Sequence, residues 1–184
     1  YTRAGREVRD GGGIKPDVIV QADSLPNIAY YLAAARDSNE VLLNYEVDYI
    51  AKHPTVAPAD QFEISDDDYA EFKRRVLASN FTYDRTSEKI LKELETLTKF
   101  EGYYDDAKPE LDALKKKLNH NVAKDLDYNK QALKNIIAND LMAAYYFQRG
   151  AAQNALRHDP QMDEAVKLIG DTQRYQSLLR PAAK

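Results

Sequence analysis

The sequence predicts a mainly α-helical fold, a multi-helix bundle with a small β-hairpin or strand remnant at its N-terminus. Three observations lead to this class. From residue 26 onward, apolar residues recur at the three- and four-residue intervals of amphipathic helices. Four of the seven glycines fall within the first 13 residues, and the β-branched run Val18-Ile19-Val20 follows them. Hydrophobic residues make up 43% and charged residues 30% of the chain, as in a packed protein.

The first 25 residues are predicted to form the β remnant. Residues 1–8 can be extended, residues 9–13 are a flexible turn, and residues 17–20 are a second short strand. Pro16 fixes its own φ and biases the preceding residue toward extended geometry. Because an isolated hairpin is only marginally stable in water, this segment must either pair with a sheet outside the sequence or lie against the helices.

Capping residues and prolines set the boundaries of the first four predicted helices. Asn27 is a candidate N-cap for the first helix, and Pro54 prevents that helix from continuing. Ser65 caps the second helix, whose first turn carries the acidic residues 66–68, where the helix dipole favours negative charge. Pro109 opens the fourth helix. The first, third and fourth helices are predicted over about residues 28–52 with a break near 37–39, 86–104 and 108–118.

The longest periodic run lies in the C-terminal third, over about residues 122–156. An unbroken helix of that length would span roughly 50 Å at about 1.5 Å per residue, so we expect a bend near Gly150. The Asp159-Pro160 pair begins the next helix, over residues 162–169. A last helical segment then extends through Leu179.

Charge and composition exclude several classes of function. The 26 lysines and arginines against 30 aspartates and glutamates give a net charge of −4, which disfavours a protein that neutralises nucleic-acid phosphates. The lack of cysteine excludes a disulfide framework, a thiol nucleophile and a thiolate zinc site. No stretch approaches the roughly 20 apolar residues of a membrane-spanning helix. Because the chain begins at Tyr1 and its two methionines are internal, we expect a piece of a longer protein.

The residues that could carry chemistry do not assemble into a site. His53, His120 and His158 lie far apart and lack the H-x-x-x-H or H-E-x-x-H spacing of zinc ligands. The acidic residues 66–68 lack the glycine and the distal glutamate of a calcium loop, and helix capping accounts for them. The glycines 11–13 are a weak phosphate cradle because no helix follows them directly.

Three further features also have structural interpretations. The lysines 115–117 are typical of a solvated helix face. Three Tyr-Tyr pairs each place one ring in the core and one near the surface. Residues 155–166 resemble part of a tetratricopeptide unit, but the sequence contains no second copy. We therefore predict no catalytic, cofactor-binding or metal-binding residue in this chain, and no cofactor.

A short N-terminal pattern carries a family resemblance. It consists of a Tyr-Thr pair, a Gly-Arg pair and a Gly-Ile-x-Pro-Asp segment followed by apolar residues, namely Tyr1, Thr2, Gly5, Arg6, Gly13, Ile14, Pro16 and Asp17. This pattern resembles the end of the catalytic domain in C-terminal processing peptidases, also called tail-specific proteases. The family more commonly has serine where this chain has Ala4. That difference and the triple glycine resemble Bacteroidota-type members, which continue into a long helical C-terminal extension.

The resemblance implies that residues 1–25 are the terminal strands of a truncated peptidase domain and that residues 26–184 are a helical C-terminal domain. Members of the family use a serine nucleophile with a lysine base, and both residues lie upstream of the Gly-Arg pair. The parent protein is then a serine endopeptidase with a Ser-Lys dyad, whereas this chain alone carries no catalytic residue. The resemblance also implies a periplasmic or cell-envelope location.

Two functions of different classes stay open for the helical domain. In the first, the domain is structural or regulatory and packs on, or gates, the protease core. In the second, it is an independent helical adaptor that binds a partner protein. The expected partners are the remainder of the parent peptidase, protein or peptide substrates of that peptidase, and a second copy of the chain. Neither nucleic acid nor a membrane span is expected.

Overall fold

The computed structural model describes residues 3, 16–21, 24–33, 40–118 and 121–180. Within these ranges the chain is mainly α-helical, which confirms the predicted fold class. None of the described helices is long and apolar enough to cross a membrane. The helices are α1 Asn27–Ala33, α2 Val41–Lys52, α3 Asp66–Ala78, α4 Thr86–Glu101, α5 Tyr104–Lys117, α6 Val122–Tyr128, α7 Lys130–Ala155, α8 Pro160–Gly170 and α9 Thr172–Leu179.

The chain divides into two compact units. The larger unit is Leu25–Asn154 and contains α1 to α6 and nearly all of α7. The smaller unit joins the described residues of Tyr1–Ser24 to those of Ala155–Lys184, which include α8 and α9. The segment that precedes the first helix is therefore grouped with the C-terminal helices.

The core of the larger unit is built by α1, α2, α3, α6 and the first part of α7. Phe72 and Val76 of α3 are fully buried there with Leu126 of α6 and with Leu141 and Met142 of α7. Burying each such side chain stabilises the fold by about 1.5–3 kcal/mol relative to exposing it. The buried leucines of α4 and α5, in contrast, lie outside this cluster.

The predicted N-terminal strands are the part of the fold class that needs correction. Residues 1–8 and 9–13 lie, apart from Arg3, outside the described residues. Residues 17–20 are described, and they form no strand. Val18, Ile19 and Val20 make no backbone hydrogen bond to any described residue. A strand requires a neighbouring strand to pair with, and none is present in the described part of the chain.

The start of the first helix also differs from the prediction. Asn27 is the first residue of α1, and Pro26 accepts the first helical bond, from the Ala29 N–H at 2.9 Å. Asn27 is therefore not the N-cap, because it lies within the helix; its Nδ2 donates to the carbonyl of Asp84 at 2.6 Å. The predicted break at 37–39 lies outside the described residues, and α2 begins at Val41.

Ser65 caps α3 as predicted, since its Oγ accepts the Asp68 N–H at 3.0 Å. The predicted start of the fourth helix is wrong, because α5 begins at Tyr104 and contains Pro109. Pro109 removes one intrahelical hydrogen bond, but its surface position allows water to satisfy the freed carbonyl. Gly102 ends α4 with a φ of 81°, a left-handed conformation that favours glycine.

The predicted long helix is divided at two places. A turn at Asn129 separates α6 from α7, and α7 itself is broken at Tyr146 and Phe147, whose φ and ψ values are not helical. The predicted bend near Gly150 is thus displaced by about one turn. The Asp159-Pro160 pair begins α8 as predicted, with Asp159 Oδ1 accepting the Gln161 N–H at 2.8 Å.

Candidate interaction surfaces

The histidines occupy structural positions where they are described. His53 follows the last residue of α2, with its Nδ1 2.9 Å from the Tyr49 carbonyl oxygen and its ring stacked on the Tyr49 ring at 4.1 Å. His158 lies in a single 3-10 turn between α7 and α8, and His120 falls outside the described residues. Among the described residues no group of three or more histidine or acidic side chains is placed to hold a metal ion.

The acidic residues 66–68 join α3 to its neighbours. Asp66 lies 3.0 Å from Lys130 Nζ and 2.9 Å from Lys134 Nζ of α7, and these two lysines lower the pKa of its carboxyl group. Asp68 Oδ2 accepts the Ser65 Oγ–H at 2.6 Å. Ion pairs thus engage Asp66, and hydrogen bonds at the helix cap engage Asp68.

Each tyrosine pair has one half-buried and one exposed ring, so the predicted position of one ring in the core is wrong. In the third pair, Tyr145 is half-buried and Tyr146 is exposed. The Tyr145 hydroxyl donates to the carbonyl of His53, and the Tyr146 hydroxyl to the carbonyl of Val56 at 3.3 Å. These hydroxyl groups connect α7 to the loop after α2. Asn154, which is buried near the end of α7, adds donors to Ala59 and Phe62 of that loop.

Two carboxyl groups meet between α2 and α7. Burial and the negative charge of Asp140 raise the pKa of Glu46 to about 8, and the two side chains share a hydrogen bond. Burial also raises the pKa of Asp140, which accepts a further hydrogen bond from Asn139. Glu46 Oε1 is buried without a hydrogen-bond partner among the described residues. No feature of the sequence singled out this pair, because its members are 94 positions apart.

Helices α4 and α5 pack on each other as a hairpin. Each buries one leucine, Leu91 and Leu111. An ion pair joins their surfaces, with Lys115 Nζ 3.5 Å from Glu95 Oε1. The lysines 115–117 otherwise form the exposed end of α5 that the sequence predicted.

The outer side of α4 is apolar and exposed. Its four members, which we call the α4 stripe, are Ile90 (58% exposed), Leu94 (41%), Leu97 (50%) and Phe100 (89%). These residues follow one another at intervals of three or four positions, as on one face of a helix. The spacing correctly predicts one apolar face, but in the described structure only Leu91 of α4 is buried.

A second apolar concavity lies within the smaller unit. Residues 16–20 and the helices α8 and α9 line a groove of about 360 Å³. Its apolar lining includes Val18 and Val20 of the N-terminal segment with Leu168 and Leu178 of the two helices. Across the hairpin, Arg174 Nη1 of α9 donates to Glu164 Oε1 of α8 at 2.9 Å. We call this feature the α8–α9 groove.

Comparison with known proteins identifies the family. The family described as "Probable PDZ-protease, C-terminal helical domain" matches residues 28–169, which include α1 to α7 and most of α8. No curated protein and no solved structure matches the chain. The match covers more than half of the sequence and agrees with the helical protease extension that the N-terminal pattern predicted. The chain therefore belongs to the family of C-terminal helical domains of PDZ-proteases.

Proposed function

We propose that this chain is the non-catalytic C-terminal part of a serine endopeptidase of the C-terminal processing type. Residues 1–25 are the end of the peptidase domain, and residues 26–184 are a structural or regulatory domain that packs on, or gates, the protease core. The catalytic Ser-Lys dyad belongs to the preceding part of the parent protein. The family match to a protease-linked helical domain supports this assignment.

The α4 stripe is the observation that carries a docking role for the helical domain. Its four neighbouring apolar side chains are 41–89% exposed on a helix that packs against α5. Contiguous apolar surface of this kind marks protein interaction sites. Covering the exposed parts of these side chains would contribute about 5 kcal/mol before the costs of association. A protease core in the same polypeptide incurs a smaller entropic cost than a separate protein.

The test uses the full-length protease and two substitutions on the stripe. Leu94→Glu with Leu97→Glu places two charges where the proposed interface is apolar. The matched control is Leu77→Glu on α3, because Leu77 is 43% exposed and Leu94 is 41% exposed. We expect the double variant, and a deletion of residues 26–184, to change peptide turnover or thermal stability of the protease. The control should leave both unchanged.

The same experiment distinguishes the adaptor alternative. If neither the double variant nor the deletion alters turnover or stability, the helical domain does not act on its own protease, and the adaptor function is favoured. A separate incubation of the purified chain with unfolded peptide tests the inactive assignment. Cleavage that is lost on mutating one of the chain's own serines would refute it.

We also propose a periplasmic or cell-envelope location for the parent protein, on the strength of the family resemblance. Fractionation of cells that produce the full-length protein tests this proposal. Recovery in the cytoplasmic fraction would contradict it.

A further inference from the structure

The N-terminal segment 16–20 has an alternating pattern of burial. Val18 and Val20 are half-buried and line the α8–α9 groove, whereas Ile19 between them is 74% exposed. All three residues border the groove, but only the two valines are largely covered, whereas most of the Ile19 side chain is in solvent.

The other wall of the groove comes from the C-terminal hairpin. Ala165 and Leu168 of α8 face the same space as Leu178 of α9. Val166 and Ile169 of α8 do not line the groove, and they are 61% and 71% exposed. The hairpin thus directs one set of apolar residues toward the N-terminal segment and a different set away from it. The ion pair between Glu164 and Arg174 holds the two helices together beside the groove.

The family match adds an independent observation about this groove. The matched region covers residues 28–169, so both the segment 16–20 and the whole of α9 lie outside it. The groove is therefore built largely from parts of the chain outside the family match, and only its α8 wall lies within the matched region. These two outer parts belong to one compact unit.

We propose that the α8–α9 hairpin is an anchoring site for residues 16–20, the segment that leads from the protease domain into the helical domain. The hairpin binds the valine face of the segment through apolar contacts. The Ile19 side chain stays mostly exposed to solvent. The helical domain is then attached to the protease-side segment at both of its ends, covalently before α1 and non-covalently through α8 and α9. That residues 16–20 lead from the protease domain rests on the proposed function, but the contact between these residues and the hairpin does not.

The absence of cysteine from the chain makes a direct test feasible. Two single-cysteine reporters, Val18→Cys and Ile19→Cys, are labelled with iodoacetamide in the 184-residue chain. We expect Val18→Cys to react at least tenfold more slowly than Ile19→Cys, because the Val18 side chain is half-buried whereas Ile19 is 74% exposed. Equal rates for the two reporters would overturn the proposal.

Groove variants then identify the hairpin as the partner. Leu178→Asp, placed in the Val18→Cys background, should bring its labelling to within about twofold of Ile19→Cys, because a half-buried carboxylate against apolar groove residues is disfavoured. Ala165→Glu is a second variant that obstructs the groove without removing a hairpin side chain. Ile169→Asp is the matched control on the outer side of α8 and should leave labelling slow.

Circular dichroism at 222 nm checks that each variant keeps its helices. If both groove variants fold and Val18→Cys still reacts slowly, another element covers Val18 and the anchoring proposal is wrong. The measurement involves no peptidase activity, so it can fail while the proposed function holds. Conversely, rapid labelling in the groove variants would support the anchoring proposal even if the stripe substitutions left the peptide turnover and thermal stability of the protease unchanged.

Discussion

Replacing Glu46 with glutamine should remove much of the pH dependence of stability above pH 5. Glu46 on α2 shares a hydrogen bond with Asp140 on α7, and its other oxygen is buried without a partner. Among the described residues, Asp140 is the charged group that acts on Glu46, and no described cation compensates a second negative charge there. An amide at position 46 keeps a donor for Asp140 but carries no charge at any pH.

The sign of the effect follows from the direction of the pKa shift. The pKa of Glu46 rises from its ordinary value of 4.5 to about 8 in the folded chain. Between those two values the folded state holds a proton that the unfolded state has released. Stability from this group is therefore fully present below pH 4.5 and is lost as the pH rises toward 8. The raised pKa of Asp140 acts in the same direction.

The magnitude is set by the size of the shift and by solvent access. A shift of this size corresponds to about 5 kcal/mol in a dry site. Solvent reaches part of the pair, so we expect about 2 kcal/mol after screening. For a chain of this length that free energy corresponds to roughly 4–8 °C in Tm. At pH 9, Glu46→Gln should exceed the parent chain in stability by this amount, and at pH 5 the two should be nearly equal.

Urea unfolding followed by circular dichroism at several pH values measures the difference. Glu93→Gln is the matched control, since Glu93 is exposed and its substitution removes the same formal charge from the surface of α4. The control should follow the parent chain at every pH. If the free energies of unfolding of Glu46→Gln and of the parent chain differ by the same amount at every pH between 5 and 9, the pair does not hold the extra proton and the reasoning fails.

Three further substitutions test local packing, each by the urea midpoint. Gly150→Ala should destabilise the chain by about 1–3 kcal/mol, because the new Cβ would lie 2.3 Å from Tyr146 Cβ. Asn154→Ala should cost about 3 kcal/mol, because it leaves two buried loop carbonyls without their donor. Ser65→Ala should cost about 1 kcal/mol, because the Asp68 N–H loses its cap.

Each of these substitutions has a control with a different expected result. Gly170→Ala should be neutral or mildly stabilising, since nothing lies within 4 Å of the added Cβ. Gln153→Ala removes an exposed side chain next to Asn154 and should have little effect. Ser65→Thr retains the capping oxygen and most of the stability. If a substitution and its control lower the free energy of unfolding equally, the contact assigned to the substituted residue is contradicted.

The features that depend on local interactions could be predicted from the sequence. A cap involves a side chain and an N–H two or three positions away, so Ser65 and the Asp159-Pro160 pair identify helix starts without tertiary information. Helical spacing likewise predicts that α4 has an apolar face. The acidic first turn of α3 belongs to the same class, although its ion pairs to α7 do not.

The candidate surfaces depend on which apolar helix faces are covered by other elements. The spacing of apolar residues shows that a face exists but not whether another element covers it. Leu91 and Leu94 are both leucines of α4, yet of these two only Leu91 is buried. The run 17–20 has the composition of a strand, but a strand also needs a partner within hydrogen-bonding reach. The Glu46–Asp140 pair joins positions far apart in sequence, so no local pattern could indicate it.

The break in α7 shows how tertiary contacts can override a local preference. Phe147 adopts a φ of 57°, which costs a non-glycine residue about 1–3 kcal/mol. No glycine or proline stands at positions 146 and 147, so the sequence places the bend at Gly150 instead. The glycine is needed for a different reason, since its lack of a side chain allows close approach to Tyr146. Beyond the break, the two hydrogen bonds of Asn154 contribute free energy of the same order as the strain at Phe147. The bend therefore persists because contacts after it offset its cost, and those contacts lie more than 90 positions from their partners.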